Sequence, residues 1–443
     1  MNLNELRAAL GARSDIADWR ISETRRDGSE SYLVGEKLDL ARSKETRELQ
    51  ATVFVDSGGG ESRTRGSATV SVHPTASASE LGTLLGRAVF AASKSRNAWY
   101  PLTGPRPAPA PLPPSGFEGR RPEAWTKELL DCLYAGARGA ARAEGAGRVN
   151  SLELFLTRIE RRVLDSRGVD AAWAGWSGTV ELTVEADGPS GGVELTDWIH
   201  FAEPDLTRLS LEMARRVAAV GDRARARPTP ALTGLPLVLA RSEADAILRW
   251  FFDNLDAARL YTKASPLALG ASMHGEEAKA GEYDPVELWA EPSLPGSPRS
   301  APYDGEGLPL ARLRLAEGGV AKALHGASRY AHYLGLPPSG SFSLLSVGPG
   351  SVPAAAMRGS PSLEVAYFSD FDVDPDSGDF GGEIRLAYWN DGSSRVPVTG
   401  GSVTGSLLEN RGRMRLSREI DSGDSIRGPA AILLPTVSVT GMA

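Results

Sequence analysis

Prolines at 105, 107, 109, 111, 113 and 114 split the first half of the chain. Proline fixes φ and lacks an N–H, so the run favours extended polyproline geometry and cannot enter a sheet interior. Residues 103–116 therefore read as a semi-rigid linker, with proline-motif docking as the sharper alternative. Before it, residues 2–12 read as a short helix, with Leu3, Leu6 and Leu10 at spacings of three and four. Glu48–Asp56 and Gly66–Val72 alternate apolar and polar around Gly58-Gly59-Gly60, a hairpin or meander pattern. Residues 77–93 return to helical spacing. After the linker, 122–147 predicts a helix, 148–161 and 178–185 predict strands, 187–192 a turn and 207–225 an amphipathic helix. Beyond Arg227-Pro-Thr-Pro230 the texture changes. A strand over 235–240 and a helix over 242–261 precede short β-like runs at 310–315, 342–347, 362–369, 383–389 and 432–439. Turn-rich short strands point to a large, mostly antiparallel sheet structure.

The expected fold is α+β. Residues 1–102 form an N-terminal α/β region of helices on an antiparallel or mixed sheet. After the linker, 117–230 form a second α/β part of the same domain, and 231–443 form a β-rich, mostly antiparallel C-terminal domain. With 443 residues the chain can build a large core without staples. Its 49 basic and 56 acidic side chains leave a formal charge of −7, which argues against a nucleic-acid grip. The lone cysteine, Cys132, excludes an intrachain disulfide framework and fits a reducing compartment. No run reaches the ~18 apolar residues of a spanning helix, and the first residues lack a signal pattern. The expectation is a soluble, cytoplasmic protein with no membrane partner.

Few residues offer chemistry. No phosphate loop, H-E-x-x-H or strict G-x-S-x-G occurs. Cys132 lies in an apolar helical setting that suits an inert thiol. The five histidines are at 73, 200, 274, 325 and 332. His325 and His332, seven apart, would lie on one helical face but roughly 10 Å from each other, too far to share one ion. Packing or surface roles suit them better than ligation. The acidic run from Asp370 to Asp379 could offer Asp372, Asp374, Asp376 and Glu383 to Ca²⁺. Ser377 stands where such a loop needs Gly, so a solvated turn between strands is the better reading. Asp304 and Glu306, in Asp-Gly-Glu-Gly, either stabilise a turn or stand beside a cleft. The 242–261 helix has Ser242 to cap it and a stripe of Ala244, Leu248, Phe251, Leu255 and Ala258, the pattern of a core-packing helix.

Several phrases together resemble the TldD/PmbA (TldD/TldE) family of peptidase-related proteins. They are Tyr303-Asp-Gly-Glu-Gly-Leu-Pro309, Leu315-Ala-Glu-Gly-Gly-Val-Ala-Lys322, Ser328-Arg-Tyr-Ala331 with Leu334-Gly335, Ser377-Gly-Asp-Phe380, and Gly428-Pro-Ala430 running into Leu434-Pro-Thr-Val-Ser-Val-Thr-Gly441. Tyr32-Leu-Val-Gly-Glu-Lys-Leu-Asp-Leu-Ala41 adds an N-terminal likeness to the PmbA side. The resemblance implies H-E-x-x-x-H on the helix at 242–261 in active TldD-type members, two imidazoles holding Zn²⁺ and the Glu polarising water. Here residues 246–261 read AILRWFFDNLDAARLY, without His or Glu, and Trp250, Phe251 and Phe252 would fill the ligand space with carbon. The chain is therefore similar to PmbA/TldE-type members lacking the motif. That implies no catalytic residue, metal ligand or cofactor of its own, and zinc in a TldD-like metallopeptidase partner of a heterodimer. The alternative is a self-paired peptide-binding scaffold. The expected substrate is an unfolded or modified peptide. Asp304, Glu306, Gly307, Arg329 and Tyr330 are the positions the resemblance suggests for a peptide cleft.

Overall fold

The structure, a computed structural model, describes residues 2–142, 145–189, 191–240, 242–359 and 361–442. The predicted helix over 122–147 and turn over 187–192 each include positions outside the described residues.

The N-terminal sheet is antiparallel and seven-stranded. Its members are β1 (Asp18–Val34), β2 (Lys37–Ser57), β3 (Thr64–Val72), β4 (Asn97–Ala98), β5 (Arg148–Asp165), β6 (Asp170–Gly188) and β7 (Gly191–Phe201). The order is β4-β3-β2-β1-β5-β6-β7, so strands from both sides of the proline run share one sheet. β1 and β2 join through Gly35-Glu36, and Gly35 supplies the left-handed conformation of that turn, φ +57°. Helices α1 (Leu3–Gly11), α2 (Ala78–Lys94), α3 (Thr126–Ala140) and α4 (Leu206–Ala224) lie on one face. Local signals set their starts. Asn2 with Glu5 and Ser77 with Glu80 form capping boxes, and Asp205 accepts the Arg208 N–H at 2.9 Å.

α1 and α2 pack on one end of that sheet face, around Trp19, Ile21, Leu49, Ala51 and Leu164. α3 and α4 pack on the other end, around Leu33, Leu152, Leu154, Leu156 and Val180. Side chains alternate along a strand, so these two groups share a face. Between them, the same positions of β1, β2 and β5 are charged.

The C-terminal half holds two sheets. β8 (Arg227–Pro228), β9 (Leu232–Ala240), β14 (Ser362–Val373), β15 (Asp379–Asn390), β16 (Arg395–Thr399), β17 (Ser402–Ser406), β18 (Arg415–Leu416) and β21 (Ala431–Thr440) form the larger. In it β14, β9, β21, β17 and β15 pair in sequence and β15 pairs back on β14, closing a ring. The smaller sheet runs β12 (Val320–Ala321), β11 (Leu313–Glu317), β10 (Leu288–Glu291), β13 (Leu344–Val347), β20 (Ile426–Pro429) and β19 (Ile420–Ser422). Three pairings are parallel, β9 with β14, β13 with β20 and β8 with β16; the others are antiparallel. The fold is α+β, and sheet dominates its C-terminal part.

The single helix expected over 242–261 is two, α5 (Ser242–Asp253) and α6 (Ala257–Tyr261). The interruption has identifiable causes. Buried Asn254 turns its amide onto the carbonyls of Trp250 (3.0 Å) and Pro375 (3.1 Å), and Asp256 caps α6 by accepting the Ala258 N–H at 2.7 Å. Among the described residues, no helix is long and apolar enough to cross a membrane.

Candidate functional site

α5 runs through the C-terminal core, with Ala244, Ile247, Leu248, Trp250, Phe251 and Phe252 buried. Trp250 donates its indole N–H to the Asp374 carbonyl at 3.2 Å, and Phe251 and Phe252 are at most 1% exposed. Carbon therefore occupies this stretch of helix, as its sequence predicts. Two histidines, distant in sequence, lie against it. The His325 ring stacks on Phe252, 4.1 Å between centroids, and its Nε2 donates to the Phe252 carbonyl at 3.1 Å. His274 lies 6.2 Å from Phe251; its Nδ1 donates to the Arg411 carbonyl and its Nε2 accepts the Val286 N–H. Burial lowers the pKa of both, so each is a neutral packing group. Among the described residues, no three His, Cys, Asp or Glu side chains converge as a metal ion needs. The residues present therefore do not fit a zinc ion.

The acidic run is the hairpin between β14 and β15. Asp374 accepts the N–H groups of Asp376 (2.9 Å) and Ser377 (2.7 Å), which hold its pKa down. Asp376 pairs with Arg259 of α6 at 2.6 Å. The run is thus a turn docked on the α5–α6 junction.

Sequence reasoning missed the start of α5. Glu243 is pushed up to about 7, first by burial and then by Asp197. Asp245 is pushed up to about 8, again by burial first, with Asp424 adding like charge. Their positions on an amphipathic helix gave one signal, since both flank the apolar stripe. What they lacked was any sign that Asp197 of β7 and Asp424 of the loop before β20 would add like charge beside them. Cys132 is likewise pushed up, to about 11, chiefly by burial, which makes it a poor nucleophile at neutral pH.

The five positions suggested for a cleft come together at one seam. It joins the loop 302–309 and α7 (Ser328–Tyr333) to the N-terminal sheet. Asp304 is buried, and its Oδ1 accepts the N–H groups of Glu306 and Leu308 at 2.9 Å each while its Oδ2 accepts that of Ser341 at 3.1 Å. Glu306 accepts from Arg20 of β1 at 3.2 Å and from the Ser328 N–H at 3.1 Å. Gly307, at φ +79°, passes over Val163, Val169 and Ala171. Arg329 donates to Asn97 at 2.7 Å and to the Tyr333 hydroxyl at 3.2 Å. Its guanidinium also lies over the rings of Tyr100, Tyr330 and Tyr333. Tyr330 in turn meets Tyr261 of α6 at 5.8 Å. These side chains are committed to one another, so the seam is a packed joint linking α6 and α7 to the sheet.

This architecture, a helix-backed sheet joined to a part that holds a closed sheet, has known counterparts. The family model described as PmbA/TldA metallopeptidase C-terminal domain matches residues 233–442, so the C-terminal part of the chain carries a domain of that family. The solved structures it is similar to include TldE from Thermococcus kodakarensis, at TM-score 0.77 and 18% identity over 99% of each chain. A protein described as a modulator of DNA gyrase from Thermotoga maritima gives TM-score 0.77 and 15% identity over 99% of this chain and 100% of its own. A counterpart with the same description from Bacteroides thetaiotaomicron gives TM-score 0.77 at 15% identity over 99% of each. At such identities the likeness establishes the fold. No curated protein matches the sequence.

Proposed function

We propose that this chain is the subunit without zinc ligands in a TldD/TldE-like metallopeptidase assembly that acts on unfolded or modified peptides. The observation that carries the reading is α5. Where the resemblance places H-E-x-x-x-H in active members, this helix presents Ile247, Leu248, Trp250, Phe251 and Phe252, all buried. A metal site there would need at least three converging donors at ~2.0–2.3 Å. The match of residues 233–442 to a metallopeptidase-family domain and the likeness to a TldE structure support a companion role. In that role the sheets wall a chamber, hold extended peptide and stabilise the subunit that supplies zinc.

The test is co-expression with a relative that bears H-E-x-x-x-H, followed by degradation assays on an unfolded polypeptide. Cleavage by the pair, with none by this chain alone and no stoichiometric zinc in it by elemental analysis, is the expected result. Cleavage by this chain alone would refute the reading.

A further inference from the structure

The charged belt between the two helix pairs is a cleft. One part, about 570 Å³, is lined by Arg25, Asp27, Glu45, Arg47, Arg158 and Glu160 among others. A second part, about 400 Å³, shares Arg25 and Glu160 with it and continues across β5 to Ala172 and Ala174 of β6. Strand register orders its charges in rows. Arg25 stands directly opposite Arg47, and Asp27 directly opposite Glu45. On its other side Arg25 faces Glu160 and Asp27 faces Arg158. Like charges directly opposed on neighbouring strands are destabilising. Here β1 and β2 carry two such rows in succession, one basic and one acidic.

The basic row is positioned from below. Glu23, two residues along β1 on the same face, is only 7% exposed and accepts from Arg47 at 2.6 Å and from Arg25 at 3.1 Å. Arg25 remains more than half exposed in the cleft. The acidic row is held loosely. Arg121, itself 63% exposed, reaches Glu45 at 3.5 Å and Asp27 at 4.0 Å, while its closer partner is Glu123 at 3.0 Å. Asp27 Oδ1 is buried without a hydrogen bond. A basic side chain with better reach would displace Arg121.

Rows two residues apart on a strand are separated by about 6.6 Å, the spacing of alternate side chains in any extended peptide. We infer that this cleft binds an extended peptide segment carrying one acidic and one basic side chain two positions apart, the acidic group over Arg25 and Arg47, the basic group over Asp27 and Glu45. This names a substrate class for the peptide-handling role proposed above and rests on that reading for its biological meaning. Its readout is binding by this chain, so it can fail while cleavage by the pair stands, and the reverse.

Fluorescence anisotropy would compare two labelled synthetic peptides of identical composition on the full-length protein. One carries Lys-Thr-Glu between glycines; the other carries Lys-Glu-Thr. Binding of the alternate-spacing peptide about tenfold tighter is expected, weakening as salt rises. R25Q/R47Q and D27N/E45Q should each lose about that factor, with circular dichroism confirming folding. R121Q, a change at an exposed side chain, should instead tighten binding, because it removes the internal competitor. Equal binding of the two peptides, no binding at millimolar peptide, or an R121Q protein with unchanged affinity would overturn the inference.

Discussion

Gly307 and Asp304 show how single residues set the seam. A Cβ added at Gly307 would stand 2.6 Å from Val169 Cγ1, and the backbone there has φ +79°, a region that L side chains rarely adopt. Gly307→Ala should destabilise the protein by about 1–3 kcal/mol, read from urea unfolding. An unchanged midpoint would mean that the loop can move off the sheet. Asp304 tests the same joint through hydrogen bonds. In Asp304→Asn the position that now accepts the Ser341 N–H at 3.1 Å would either lose that bond or force the amide to turn away from Glu306 and Leu308. A loss of about 1–3 kcal/mol is expected. The turn-forming role of Asp304 was legible in Asp-Gly-Glu-Gly. The reach of Glu306 to Arg20, across 286 positions, was not, because nothing local records a contact that distant.

At the scale of elements, α5 is the informative case. Its apolar stripe was plain, and so was the lack of imidazoles. Its end was misread because Asn254 and Asp256 sit comfortably in a helical pattern, whereas their side-chain bonds to Pro375 and to α6 decide the break. The acid groups at its start make a prediction. Glu243 and Asp245 hold protons up to about 7 and about 8, while the unfolded chain releases them near ~4. Between those limits the folded state binds more protons than the unfolded one, so stability falls as pH rises through this window. Urea unfolding at several pH values should show that fall. It should be shallower in Glu243→Gln and Asp245→Asn, with the variants gaining on the parent as pH rises through the window and keeping that gain above it. A parallel decline in all three proteins would assign the slope to other groups.

The long strands teach the complementary lesson. β1 has 17 residues and β2 has 21, yet only the alternation over 48–56 announced a strand. From Glu23 to Ser31 in β1 and from Arg42 to Glu48 in β2 both faces carry charged or small polar residues, so no period appears. Those segments are strands because β1 is paired on both sides, with β2 and with β5, through nearly its whole length. Tertiary pairing supplies what local pattern omits.

Across the whole molecule, the hydrophobic clusters do not respect the change of texture near residue 230. Leu386 of β15, fully buried, belongs to the cluster built on α3 and α4, and Tyr367 and Tyr388 pack against it. The Tyr388 hydroxyl donates to Asp222 of α4 at 2.6 Å, and the short β8 adds to β16 in the C-terminal sheet. Together with the seam at Arg20, Glu306 and Arg329, these contacts tie the two halves at separate places. Composition along the chain marks where sheets change style, but it carries no information on which buried side chain crosses between them. Leu386→Ala should therefore cost about 2–5 kcal/mol, the range for a leucine removed from a packed core. The loss should reach both halves. Trp176 lies in the N-terminal cluster and Trp250 in the C-terminal one, so single-tryptophan versions of the protein can follow each half separately. If the contacts couple the halves as their burial implies, both probes should report one midpoint in the parent and one lower, still shared midpoint in the variant. Midpoints that separate once Leu386 is shortened would instead show that this cross-cluster packing alone binds two otherwise independent folding units.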